Sequence, residues 1–432
     1  MRYGMRRNSE TFVYLPRGPR VQISPPLLPH LAFYEALAVL DESDALWKET
    51  VAGLLTLRLF DSWSVVHRRG ERLQAWEVAG VAEAVDELPQ LHLARGSLAA
   101  VVAAVREPDT APALALPLLA DYARALRFEA KWLLAADVFA TMLSNAYGGD
   151  EELLITAAYH RGFCLRMAGQ LDAAAASYDE GRALAASCGN EAGLLEADVS
   201  HAALALHRGN LPAAEALLDG VIARAGGSGC MRVLSHALHE RAHVAARRGR
   251  FDDAVVFAYR ALPLCTDADE RDRILGDIAT AMGDAGHHAA AWDGHLVLTA
   301  TARAQETRWV ALANLIELAA VRGDEANFER FRSDLAGRPL PAYLLAHYHL
   351  FTGIGYRRFN QPESAERELG AAIAVAQRYE LNEVRIRAEG VLALPSGAAV
   401  ARPAAGEPAA PVARVIEALR AMREMADATV GA

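Results

Sequence analysis

A chain of 432 residues is several times longer than one hydrophobic core requires, so two or three domains or one elongated repeat array are the starting expectations. Hydrophobic residues make up 53% of it but aromatics only 7%, and the excess is alanine and leucine, strong helix formers with low β-propensity. The formal charge of −10 excludes a general nucleic-acid binder, because neutralising phosphates takes a net or strongly clustered basic surface.

The first segment, residues 1–29, carries Arg2, Arg6 and Arg7 and is then broken by Pro16, Pro19, Pro25 and Pro26. It reads as a disordered arm without the apolar stretch of a secretion signal. Further on, no apolar run reaches membrane-spanning length. The four cysteines, Cys164, Cys188, Cys230 and Cys265, stand 24 or more residues apart and make no paired metal or redox spacing. These features predict a cytoplasmic protein with reduced thiols and no membrane contact.

Residues 30–107 read as a helical module interrupted at Gly70 and Gly96, ending where Pro108 and Pro112 disfavour helix continuation. From 112 to 392 the sequence repeats. Met167-Ala-Gly-Gln-Leu-Asp-Ala-Ala, His207-Arg-Gly-Asn-Leu-Pro-Ala-Ala and Arg247-Arg-Gly-Arg-Phe-Asp-Asp-Ala place Gly169, Gly209 and Gly249 at intervals of 40, and Gly286, Gly323 and Asn360 follow at intervals of 37. Each lies between two helix-like apolar patterns, where a left-handed cap belongs. Five residues after each cap stand Ala174, Ala214, Ala254, Ala291, Phe328 and Ala365; seven before it stand Gly162, Ala202, Ala242, Ala279, Ile316 and Gly353. Small side chains at both sites are what two closely packed helices need where their backbones approach.

These repeats resemble the tetratricopeptide-repeat family over roughly residues 150–392. The clearest copies are Ala158 to Leu184, His239 to Leu264 and Leu350 to Ala376, and a degenerate copy without its cap glycine runs from Ala120 to Ala146. The intervals exceed the usual 34, as in lengthened bacterial repeats, and Phe328 replaces a small residue. The resemblance implies an all-α, right-handed solenoid of helix-turn-helix repeats whose first helices line a concave, partner-binding surface. Beyond it, residues 394–411 read as an Ala/Pro-rich linker and 412–427 as a C-terminal amphipathic helix.

Transferred repeat by repeat, the family's groove stripe selects Tyr159, Phe163, Arg166, His207, His236, His239, His243, Arg247, Arg273, His347, Arg357 and Arg358. This stripe is basic and histidine-rich in an acidic chain, which suits an acidic segment or a free carboxylate of a protein or peptide. Histidines of ordinary pKa would make such binding stronger as pH falls from about 7.5 to 6. Self-association stays open, and a peptide-sensing regulator of the bacterial repeat-receptor type is the alternative binding function.

One motif points to chemistry: His239-Glu240-Arg241-Ala242-His243 matches the zinc-hydrolase pattern of two histidines one helical turn apart with a glutamate beside the first. It falls inside the first helix of a well-registered repeat, Ala242 is that hairpin's packing residue, and no third ligand stands at a familiar spacing. The expectation is therefore a non-enzyme without cofactor, with His239 and His243 as the only weak metal candidates. Gly353-Ile-Gly355 lacks the third glycine of a nucleotide loop, and Gly226-Gly-Ser-Gly lacks the spacing of a nucleophile elbow.

Overall fold

The computed structural model describes residues 11–13, 21–23, 29–90, 92–107, 110–146, 151–379, 381–394 and 406–430. It is an all-α fold with one short exception. Within the expected disordered arm, Thr11–Val13 (β1) and Val21–Ile23 (β2) pair as antiparallel strands, and most of the expected linker lies outside the described residues. None of the described helices is long and apolar enough to cross a membrane.

Contacts divide the chain into two units that part between Gly209 and Asn210. The first holds α1 (Leu31–Val39), α2 (Ala45–Arg68), α3 (Ala75–Asp86), α4 (Leu93–Arg106), α5 (Pro112–Phe128), α6 (Trp132–Ser144), α7 (Glu151–Met167), α8 (Leu171–Cys188) and α9 (Glu191–His207). One core runs through it from Phe33 to Leu204. The helices of 30–107 therefore share a core with the first repeats, and the proline segment near residue 110 is a connection between α4 and α5, not the place where the units part.

The second unit holds α10 (Leu211–Ser228), α11 (Met231–Arg247), α12 (Phe251–Ala261), α13 (Ala268–Asp284), α14 (His288–Thr301), α15 (Gln305–Arg322), α16 (Glu325–Leu335), α17 (Ala342–Arg358), α18 (Pro362–Arg378), α19 (Asn382–Ala393) and α20 (Ala410–Val430). Helix starts are set by side chains that satisfy the free backbone donors: Asp267 accepts from the amide of Glu270 at 2.8 Å, and Asp324 from that of Asn327 at 3.1 Å. The C-terminal helix packs on the second helices α12 and α14. It buries Val412, Val415 and Leu419 there, and Arg423 reaches Asp293 at 3.2 Å.

The repeat register holds at backbone level. Gly169, Gly209, Gly249, Gly286 and Gly323 have φ between 70° and 87°, and Asn360 has φ 58°. The degenerate copy makes the same turn without glycine, at Ala130 with φ 58°. The residues predicted at the hairpin crossings are buried, from Ala174 and Ala202 through Ala254 and Ala279 to Ala365. At Gly162 a Cβ would come within 2.3 Å of the Tyr178 ring. The exception, Phe328, is fully buried against Tyr356 and Phe359. Its volume is accommodated by Gly355 on α17, where a Cβ would stand 2.1 Å from the Phe328 ring.

Two measurements test this packing. Ala130→Gly should raise stability by about 0.5 to 1 kcal/mol in chemical denaturation, because the left-handed strain of alanine exceeds the entropy that glycine adds to the unfolded chain. Gly355→Ala should cost about 1 to 3 kcal/mol by overpacking, and Phe328→Leu in the same chain should restore part of it; a neutral Gly355→Ala would refute the pairing of these two residues.

Candidate functional site

On α11 the histidines fall three and four residues apart, which returns them to one helix face. His239 is buried, His236 and His243 are partly exposed, and Arg247 is exposed in the last turn. The next first helix, α13, presents Asp277 to them. Its Oδ2 lies 2.7 Å from His239 Nε2 and 3.3 Å from His243 Nε2, and the two imidazole centroids are 4.6 Å apart. Glu240 lies on the other nitrogen of His243, with Oε2 3.6 Å from Nδ1, and its Oε1 is 3.7 Å from His236 Nε2.

The electrostatics follow from this arrangement. Burial opposes charge on His243, but the hydrogen bond to Asp277 and the nearby Glu240 carboxylate outweigh it and raise the imidazole to about 10. Burial dominates at His239 and lowers it, so this ring is neutral when its neighbour is charged. Asp277 and Glu240 are desolvated, yet the histidines facing them hold both below the ordinary carboxylate range. Behind them on α14, buried His295 is pushed down to about 4 by desolvation.

Two sequence expectations change in consequence. The stripe is not simply basic, since Asp277 and Glu240 neutralise its centre. Nor does His243 gain charge between pH 7.5 and 6, because it is already protonated above that window. The motif glutamate stands at the Nδ1 side of His243, and Asp277 at the Nε2 side.

Asp277 escaped the sequence reading because the stripe was read at fixed offsets before each cap, and it lies one residue off them. A signal was present: Glu240 and Asp277 stand at the same register, nine residues before Gly249 and Gly286. The carboxylates thus recur one repeat apart, which is the distance between neighbouring first helices.

Of the other stripe residues, some pack into the frame and others stay exposed. In the first unit, buried Tyr159 donates through its hydroxyl to the Gly193 carbonyl at 2.8 Å. Arg166 is buried, with Nε 3.3 Å from the Tyr178 hydroxyl and Nη1 donating to exposed His207 Nδ1 at 2.7 Å. Phe163 is half-buried between the guanidinium groups of Arg127 and Arg166, at 4.5 and 5.0 Å, with Trp132 at its edge. In the second unit Arg273 is exposed beside Glu270, His347 lies against Tyr343 and Phe351, Arg357 donates to the carbonyl of Leu394, and Arg358 is exposed.

A second polar cluster joins α2, the turn between α5 and α6, and the residue before α4. Glu49 is buried and pairs with Lys131 and with His92 at 3.3 Å, while Lys131 also reaches Glu129 at 2.6 Å. Although desolvation works against it, His92 and Lys131 bring Glu49 down to about 2. The lysine ammonium already fills the position between the two carboxylates.

Comparison with known proteins adds little. No family model matches the chain, and no curated protein does. Among solved structures, aspartyl phosphate phosphatase F from Bacillus subtilis aligns over 84% of this chain and 98% of its own at 12% identity and a TM-score of 0.39. BtubC from P. vanneervenii aligns over 62% and 94% at 14% identity and a TM-score of 0.32, and the tetratricopeptide-repeat domain of P58(IPK) over 72% and 98% at 12% identity and a TM-score of 0.19. Similarity at this level leaves the assignment of helical repeats to this chain's own register of caps and crossings.

Proposed function

We propose that this protein is a helical-repeat scaffold that binds a protein or peptide along its first helices and performs no chemistry of its own. One observation carries the reading. The position two residues before each cap is exposed or partly exposed in every full repeat, and its chemistry changes from copy to copy: Met167, His207, Arg247, Asp284, Val321 and Arg358. The crossing positions, by contrast, are buried in every copy. A constant frame carrying a varied outer row is how a repeat protein reads a partner without altering its fold. Arg247 and Arg273 supply exposed positive charge next to the histidine cluster, which favours a carboxylate-bearing segment.

The test is capture from a lysate of the native cell on immobilised protein. Arg247→Glu combined with Arg273→Glu should lower recovery of the bound partner by at least about tenfold, since like charge at an interface costs several kcal/mol. Both side chains are exposed, so the helical spectrum should not change. Arg260→Glu, exposed on the second helix α12, should leave recovery intact. Recovery should also be nearly constant between about pH 7.5 and 6 as far as His243 decides it, because Asp277 and Glu240 keep that ring charged throughout. Equal losses from the first-helix and second-helix variants would refute the reading.

A further inference from the structure

We infer that His239, His243 and Asp277 form a site for a divalent transition ion of the zinc class, a staple between the first helices of two consecutive repeats. The inference is independent of the scaffold reading, because ion binding is read without any partner.

The donor set is the first argument. Two imidazole nitrogens and one carboxylate oxygen are a common zinc triad, and here the three donor atoms lie within 4.8 Å of one another. Around a tetrahedral zinc with bonds near 2.0 to 2.1 Å, donor atoms stand roughly 3.3 Å apart. The carboxylate oxygen lies 2.7 and 3.3 Å from the two nitrogens, which places these two edges of the donor triangle close to that spacing. Both histidines present Nε2 from positions one turn apart on a single rigid helix, and the ion takes the place of the proton that His243 shares with Asp277, which is released to solvent on binding.

The surroundings are the second argument. A metal-binding histidine is commonly held by a carboxylate at its other nitrogen, which fixes the ring and raises its basicity. Glu240 stands near that place, its Oε2 3.6 Å from His243 Nδ1, and needs only a small approach to take it. The histidine-glutamate motif thus has a use that is not hydrolytic: its glutamate is a positioning residue for a ligand. Access is the third argument. His239 is closed off, but the side chains of His243 and Asp277 are 39% and 42% exposed, which leaves a route for the ion and a fourth position for water or for a carboxylate brought from outside. The cluster at Glu49, His92 and Glu129 has none of this openness, because Lys131 already supplies its cation.

The experiment uses the full chain without a histidine tag, stripped with chelator and titrated with cobalt(II), then with zinc(II) in competition. The expected result is one equivalent of cobalt with visible bands of a tetrahedral nitrogen and oxygen site, no thiolate charge-transfer band, displacement by zinc and a higher melting temperature on zinc binding. His243→Gln and Asp277→Asn should each weaken binding by more than about 100-fold, and Glu240→Gln by about 10- to 100-fold as loss of a supporting carboxylate. His201→Gln, in the first unit, should have no effect. Circular dichroism of each metal-free variant separates loss of the site from loss of the fold; should Asp277→Asn unfold, the half-exposed His243→Gln decides alone. Absence of stoichiometric binding, binding unchanged in His243→Gln, or a thiolate band placing the ion on cysteine would each overturn the inference.

Discussion

Close approach of paired helices is the constraint from which the rest of this structure descends. A hairpin whose helices touch at Gly162, Ala254 or Ala365 has no room for a larger side chain at the crossing, and its turn must pass through a left-handed residue to bring the second helix back. Once those positions are met, the spacing of neighbouring first helices is set. That spacing, and no local feature of α11, brings Asp277 to 2.7 Å from His239.

The fifth full hairpin shows that the constraint concerns total volume more than residue identity at one site. Phe328 puts an aromatic ring where the other copies have alanine, and the chain compensates on the neighbouring helix with Gly355. Such exchange of volume across a contact is how a core keeps its packing density while individual positions drift.

Polar side chains between helices follow a parallel rule. Arg241 is buried yet paired with Glu215 and Asp219, Arg387 with buried Glu317, and Lys131 with Glu49. An isolated charge in these places would lose several kcal/mol of hydration, whereas a pair also fixes which helices lie together. The histidine cluster differs from these in one respect. Its positive member is a titratable ring whose nitrogen becomes a metal donor once its proton leaves, so the same geometry that pairs a partly exposed acid with two histidines also offers three ligands to an ion.

Much of this was legible in one dimension. Helix-forming composition, the cap residues at intervals of 40 and 37, and the small residues at fixed offsets from them are all local or periodic, and a periodic pattern reveals a repeated hairpin without any knowledge of distant contacts. The N-terminal helices could not be assigned to a core in this way, because they carry no cap-and-crossing register of their own and share their core with α5 residues such as Leu116 and Tyr122. The division at Gly209, the place of α20 on α12 and α14, the role of Gly355 and the meeting of His239, His243 and Asp277 were decided by tertiary structure alone. The physical reason is common to all four: each depends on side chains tens of residues apart filling one another's space or neutralising one another's charge, and sequence order carries no measure of that distance.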